Sequence, residues 1–472
     1  MNFKHSKYFR TGIALTLGAL CLSLSVGFML SSKQSPLIFS ASVNLPLLPS
    51  WKSSEVPVSL SDSDAALLRI AARLSRRLAK RSLPTPSISA LVTAIREQHA
   101  LMNRSVTVDL RFPDGTTHPW IVGVQTYPQW MRPEISTTQA HFILDTASIA
   151  ETLTYASIEG IIRPVGSTLQ ETVDDGDVLR VISDGVAKFG YTFDVTKTTN
   201  DIANVLVTGG DRVSLPLTWS GGPIINATGR ELGSLTILGS GRSDFSGSPA
   251  ARIRNVQKAA NDHLSNVLVG PGETFSFNAT IGKPVTTGNG WYMAKIIIDG
   301  GTLVMAPGGG ICQVSTTALR AALSAGFPIE KRANHSLYVS YYEKFGVGID
   351  ATVLPGVQDL TFMNDSSSWI LIQSYDEGTE VVVNIYGTPD GRMTDIRGPY
   401  FADTDQSEQS LESKTIRSNE IAWVQEVSYS DGRIEDRPLI SRYKGMPLSI
   451  PRKYALLHAS AESGSTVSGS GI

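Results

Sequence analysis

At 472 residues, the chain is long enough for about three domains. An apolar content of 41% can fill ordinary globular cores. With 41 basic and 43 acidic residues the net charge is −2, and no long run of either sign occurs, so nothing points to a nucleic-acid partner.

Lys4, Lys7 and Arg10 precede an apolar stretch over 11–31, about the length that crosses a bilayer as a helix. Basic residues before the stretch, and none inside it, predict a cytoplasmic N-terminus with the bulk outside. The stretch is longer than a usual signal-peptide core, and Phe39-Ser40-Ala41 is a poor cleavage site, which favours an uncleaved single-pass anchor over residues 1–35. Cleavage would give a secreted chain instead. Cys21 falls inside the stretch, so Cys312 is the only thiol of the exported portion. An unpaired cysteine in an oxidising compartment is either an intermolecular link or a reactive thiol.

Residues 36–60, rich in Ser and Pro, read as a linker. Ser61-Asp62-Ser63-Asp64 opens a helix to about Leu83, apolar at Leu67, Ile70, Ala71, Leu74 and Leu78. Arg69, Arg73, Arg76, Arg77 and Lys80 give it a basic face, read as solvated rather than bound to anionic polymer. A second helix spans 87–99. Alternating Val106, Val108, Leu110 and Phe112, then Asp114-Gly115 and Trp120-Ile121-Val122, predict a hairpin. Helices near 147–156 and 196–208 and strands at 178–182 and 213–219 complete an α+β unit within 61–230 that has no nucleophile–base set.

The Gly/Ser-rich stretch 239–249 reads as a boundary before a second α+β unit over 235–395. That unit is predicted to contain a helix at 250–264, strands at 274–277, 294–298 and 302–305, and a helix at 314–325. Further strands are expected at 337–342, 351–354, 370–374 and 380–386. A hairpin around Asp431-Gly432 lies in a C-terminal extension, 396–458, ahead of a Ser/Gly tail, 459–472.

The chemistry centres on Pro307-Gly308-Gly309-Gly310-Ile311-Cys312-Gln313, between a predicted strand and a predicted helix. Three glycines permit a sharp turn and leave amide groups uncovered. Cys312 sits at or just before the helix start, where the dipole and free N–H groups favour a thiolate. The backbone around Gly309, Gly310 and Gln313 can hold the oxyanion of an acyl-transfer intermediate. The competing reading is a small buried cysteine beside a structural turn.

Of seven histidines, His335 lies just after the helix that Cys312 opens, while His458 falls near the tail, so His335 is the candidate general base, against a satisfied core or surface histidine. It returns beside the cysteine if the next strand neighbours the one before Cys312. Asp350, Asn334 and Asp359 are the candidate orienters, not separable by sequence. Ser315, Thr316 and Thr317 suit helix capping, and Glu273 suits a strand edge. No metal or other cofactor is expected, because the exported Cys and His residues do not cluster and the glycine turn lacks a phosphate-loop lysine.

Two resemblances arise on these residues. Lys188-Phe189-Gly190-Tyr191-Thr192-Phe193-Asp194 and Val213-Ser214-Leu215-Pro216-Leu217, with the elements around them, make residues 95–225 loosely similar to the peptidoglycan-binding-type domain that precedes YkuD and VanW domains. Residues 235–395 resemble the VanW family. The resemblance rests on Pro271-Gly272-Glu273-Thr274-Phe275-Ser276-Phe277-Asn278, Gly308 to Thr317, His335-Ser336, Asp350-Ala351-Thr352-Val353, Asp359-Leu360 and Asn364. The stretch 341–349 departs from it by being longer than usual. The family resemblance implies a cell-envelope protein acting on peptidoglycan stem peptides, as an L,D-transpeptidase-like cysteine enzyme or a carboxypeptidase. A cysteine endopeptidase or amidase would share the site, and the alternative is a non-catalytic peptidoglycan-binding or scaffold protein.

Overall fold

The computed structural model describes residues 63–298, 301–402, 415–447, 449–451 and 454. The expected anchor, linker and tail lie outside them; among the described residues no helix is long and apolar enough to cross a membrane. The helix Ser63–Lys80 keeps Arg73, Arg76, Arg77 and Lys80 in solvent.

The architecture is α+β. Strand Ser105–Arg111 turns its alternating Val106, Val108 and Leu110 inward. It pairs antiparallel with Thr117–Gly123 and parallel with Arg212–Pro216. Helices Thr146–Tyr155 and Val195–Thr208 contribute Ile149, Leu153, Ile202 and Leu206 to the same core.

A seven-stranded sheet forms the centre of the molecule. In spatial order it runs Ile224–Asn226, Ser167–Asp175, Val178–Ser183, Val267–Val269, Ile370–Glu377, Glu380–Gly387 and Thr236–Asp244. Its strands come from both sides of the boundary expected at 230–235, joined where Val267 faces Arg180 and Leu268 faces Leu179. The Arg180 guanidinium ties the seam further, donating to the Ser265 carbonyl at 3.2 Å and the Thr280 carbonyl at 2.9 Å.

Residues 239–244, read from sequence as the start of a Gly/Ser boundary, belong instead to the edge strand Thr236–Asp244, antiparallel to Glu380–Gly387. Their glycines reflect contact, not looseness. A Cβ at Gly241 would lie 2.2 Å from the Thr317 carbonyl oxygen, on the helix Ile311–Ser324 that crosses the strand. Composition cannot tell a glycine that frees the chain from one that admits a neighbour. Gly241→Ala is expected to lower stability by about 1–3 kcal/mol through overpacking. Gly185→Ala, where nothing lies within 4 Å, should be nearly silent in the same urea titration. Equal midpoints for the two variants would refute the close-approach reading.

The helix Ile311–Ser324 is buried along almost its whole length. Val314, Ala318, Leu319 and Ala322 enter the main core with Phe275, Phe362, Ile372 and Val383. The C-terminal hairpin forms as expected, Glu420–Ser428 against Ile434–Arg442, and Met393–Tyr400 joins it as a third strand. It does not stand apart: Gln425 donates to the Leu323 carbonyl at 2.8 Å, closing the end of the cysteine helix. The strand expected at 337–342 is absent; Ser340–Phe345 is a 3-10 helix, and 351–354 makes only isolated bridges.

Candidate active site

The turn before Cys312 is fixed by sterics. Gly308 and Gly310 take φ of 82° and 118°, which a side chain would oppose. Between them, a Cβ on Gly309 would come within 2.8 Å of the Ala294 side chain. Buried Asn255 locks the turn from below, donating to the Gly309 carbonyl at 3.0 Å and the Tyr292 carbonyl at 2.9 Å while accepting from the Tyr292 amide at 2.8 Å. Cys312 is thereby the second residue of the helix, and as a residue it is partly exposed.

Two of the first amides are used by the turn itself. Ile311 donates to the Gly308 carbonyl at 3.1 Å, and Gln313 to the Gly310 carbonyl at 2.9 Å. Gln313, expected as an oxyanion donor, is therefore occupied, and its side chain is buried against Ser243 at 3.1 Å. Of the amides at 311–313, that of Cys312 is the one these turn bonds leave open at the helix start. Ser315 and Thr316 do not cap. They clamp residue 351 instead: the Ser315 hydroxyl donates to the Ala351 carbonyl at 2.8 Å, and the Ala351 amide donates to Thr316 Oγ1 at 3.0 Å.

That clamp brings the next two groups in. His335 does not arrive by a strand beside the one leading to Cys312, since Thr302–Pro307 pairs with Met293–Ile298 and Ile329–Lys331 with Thr361–Met363. An isolated bridge does the work, the Thr352 amide donating to the Ala333 carbonyl at 2.7 Å. His335 then sits with Nδ1 2.5 Å from Asp350 Oδ2, and the same oxygen accepts the His335 amide at 2.8 Å. The Cys312 thiol donates to the Val353 carbonyl at 3.5 Å, and the His335 imidazole lies close enough for each to act on the other's ionisation. Thiol, imidazole and carboxylate are thus brought together, with His335 8% exposed, Asp350 2%, and Cys312 partly exposed as a residue.

The electrostatics follow from that line. Burial opposes charge on all three groups. For His335 the Asp350 carboxylate and the Cys312 thiol outweigh it and push the imidazole up to about 10. For Cys312 the hydrogen bond and charge of His335 outweigh burial, holding the thiol below its ordinary value. Asp350 is likewise held below the usual carboxylate range, by His335 and then Arg332. Both shifts favour charge on the pair, a thiolate beside an imidazolium with the carboxylate behind the ring.

Of the candidate orienters, Asp350 alone touches the ring. Asn334 gives its amide to the His335 carbonyl at 2.7 Å and the Arg442 carbonyl at 2.6 Å. Asp359 accepts from the Ser276 hydroxyl at 2.6 Å and the Asn278 amide at 2.9 Å, holding the short helix Phe277–Ile281. Glu273 closes its own turn by accepting from the Gly270 amide at 2.7 Å. The long stretch 341–349 wraps buried Arg320, which donates to the carbonyls of Tyr342, Gly346 and Ile349 and to that of Arg242. Asp350 follows directly from that wrap.

Residues 251–386 match the family model described as VanW like protein. The chain carries a VanW-like domain. YoaR of Bacillus subtilis (strain 168), an uncharacterized protein, is 37% identical over 144 residues, which is 30% of this chain and 46% of YoaR. The chain therefore spans just under half the length of that relative. No solved structure matches it. Cys312, His335 and Asp350 all fall inside the VanW-like domain, whereas the first three strands of the central sheet in spatial order, its other edge strand Thr236–Asp244 and the C-terminal hairpin fall outside the matched residues.

Sequence reasoning gave no role to Asn255, Arg320, Arg332 or Tyr443. A signal existed for Arg320, a lone cation inside the otherwise small and apolar run Val314 to Ala325. Nothing in the chain's pattern marks Tyr443.

Proposed function

We propose that this is a cell-envelope protein whose VanW-like domain catalyses cysteine-dependent acyl transfer on peptidoglycan stem peptides. The observation that carries the reading is the Cys312–His335–Asp350 line at the start of a buried helix. A structural cysteine needs no ionised partner, and a merely buried one would not face a histidine seated on a buried carboxylate. The resemblance of some VanW members to L,D-transpeptidases supplies the substrate class, and the upstream resemblance to a wall-binding domain is consistent with it.

In the reaction, the Cys312 thiolate attacks the carbonyl of the stem-peptide diamino acid and a C–S bond forms. The oxyanion develops at the helix start, beside the Cys312 amide. Collapse breaks the amide C–N bond, and the His335 imidazolium gives its proton to the departing terminal D-residue amine. His335, now neutral, takes a proton from the incoming amine of a neighbouring stem as that amine attacks the thioester. The thiolate leaves and the cross-link is made. Water in place of the amine gives the carboxypeptidase outcome.

The test is incubation of the protein with purified muropeptides, followed by mass spectrometry. Loss of the terminal residue or formation of cross-linked dimers is expected, and neither in the Cys312→Ala variant. Binding of muropeptides without any change in their mass would leave the non-catalytic binder as the function.

A further inference from the structure

The Asp350 carboxylate is completed from a part of the chain beyond the VanW-like match. Its Oδ2 serves His335; its Oδ1 accepts a hydrogen bond from the hydroxyl of Tyr443, which follows the last hairpin strand, Ile434–Arg442. The same oxygen lies 3.5 Å from Arg332 Nη2, and that guanidinium is itself held by the hairpin. Arg332 donates to Ser441 Oγ at 2.5 Å and to the Ile440 carbonyl at 3.1 Å. The histidine loop is stitched to the same strand end: Asn334 donates to the Arg442 carbonyl at 2.6 Å, and the Lys444 amide donates to the Ser336 carbonyl at 2.7 Å.

We infer that Tyr443, assisted by Arg332 seated on Ser441, is a positioning residue that fixes the Asp350 carboxylate toward His335, so that the C-terminal hairpin is part of the reactive site. The inference rests on Cys312 being the reacting thiol. A buried carboxylate has lone pairs on both oxygens to satisfy. Tyr443 is 2% exposed and its ring stands edge-on to Tyr338 at 5.5 Å, so the hydroxyl has one direction to point. Burial and the adjacent Asp350 keep that phenol protonated, hence a donor. Without the hydroxyl, Oδ1 must turn to Arg332 for a donor, which draws Oδ2 away from the His335 ring. The imidazolium then loses its counter-charge at contact, and the thiolate loses the imidazolium. The charged and titratable groups facing this line are Arg332, Arg320, Tyr342, Tyr338 and Tyr443; only the last is changed.

The measurement is the rate of iodoacetamide alkylation of Cys312 against pH in the folded full-length chain, with Cys21→Ser making Cys312 the sole thiol. Tyr443→Phe should move the acid limb of the profile upward by about one pH unit, a tenfold slower reaction on the limb. Ser441→Ala, which loosens Arg332 without touching the carboxylate, should move it the same way by less, and serves alone if Tyr443→Phe does not fold. A limb that stays in place or moves down in folded variants overturns the inference. The thiol profile is read without substrate, so a chain that leaves muropeptides unchanged would sink the proposed function and still answer this question.

Discussion

His335→Gln is expected to move the acid limb of Cys312 alkylation up toward the ordinary cysteine range and to abolish most turnover. The sign follows from the ion pair. In the native protein the thiol ionises below its ordinary value and the imidazole keeps its proton up to about 10, so the reactive pair exists between those two limits. Glutamine keeps the size of the ring without its charge. Burial then acts unopposed on the thiol and raises it. At neutral pH a free cysteine is only a few per cent thiolate, so alkylation should slow by about tenfold or more. Turnover should fall further, by roughly 10²–10⁴-fold, because the departing amine also loses its proton donor. Asp350→Asn should fall in the same direction by less, since the ring remains. Stopped-flow alkylation across pH together with muropeptide turnover measures both. An unshifted limb in folded His335→Gln would mean that the imidazole does not activate the sulfur.

Arg320→Met carries the largest expected loss of stability. The guanidinium is 6% exposed and serves four carbonyls: Arg242 at 2.7 Å, Tyr342 at 2.8 Å, Gly346 at 3.0 Å and Ile349 at 3.2 Å. Methionine fills much of the volume but leaves those oxygens buried without donors. Each buried acceptor left unsatisfied costs about 1–3 kcal/mol, so several kcal/mol in all are expected. The injury reaches the chemistry as well, because the wrapped stretch ends on Ile349 and Asp350 follows it. Urea unfolding should show a clearly lower midpoint, with turnover reduced even in dilute urea where the variant remains folded. A midpoint matching the native protein would show that the wrap holds itself without the cation.

How far the site was readable before the structure depends on what kind of information each part needs. The proposed nucleophile and base were legible because such roles are written in residue type and local context: a thiol after three glycines, and a histidine just beyond the helix it opens. The orienter was not separable, since Asp350, Asn334 and Asp359 are all short polar residues near loops. Which one meets the ring is decided by the bridge between Ala333 and Thr352, a non-local pairing. The same holds for the fold. Strands with clean alternation, such as Ser105–Arg111, follow from periodicity. Thr236–Asp244 does not, because its glycines answer to the helix packed against them. The 3-10 helix Ser340–Phe345 replaced an expected strand because the carbonyls there turn inward to Arg320 rather than outward to a neighbour.

The seam in the central sheet has a practical corollary for anyone dividing this chain. Val267–Val269 is bordered on one side by Ile370–Glu377 and on the other by Val178–Ser183. A fragment beginning where the family match begins would strip off that second neighbour and bare the backbone of a wholly apolar segment. Leu268 and Leu371 would also lose Leu169 and Val181, with which they share a cluster. Such an edge invites the strand of another molecule. Expression of the matched region by itself should therefore yield aggregates or dimers, and the preceding residues are best regarded as a scaffold that the VanW-like region cannot shed.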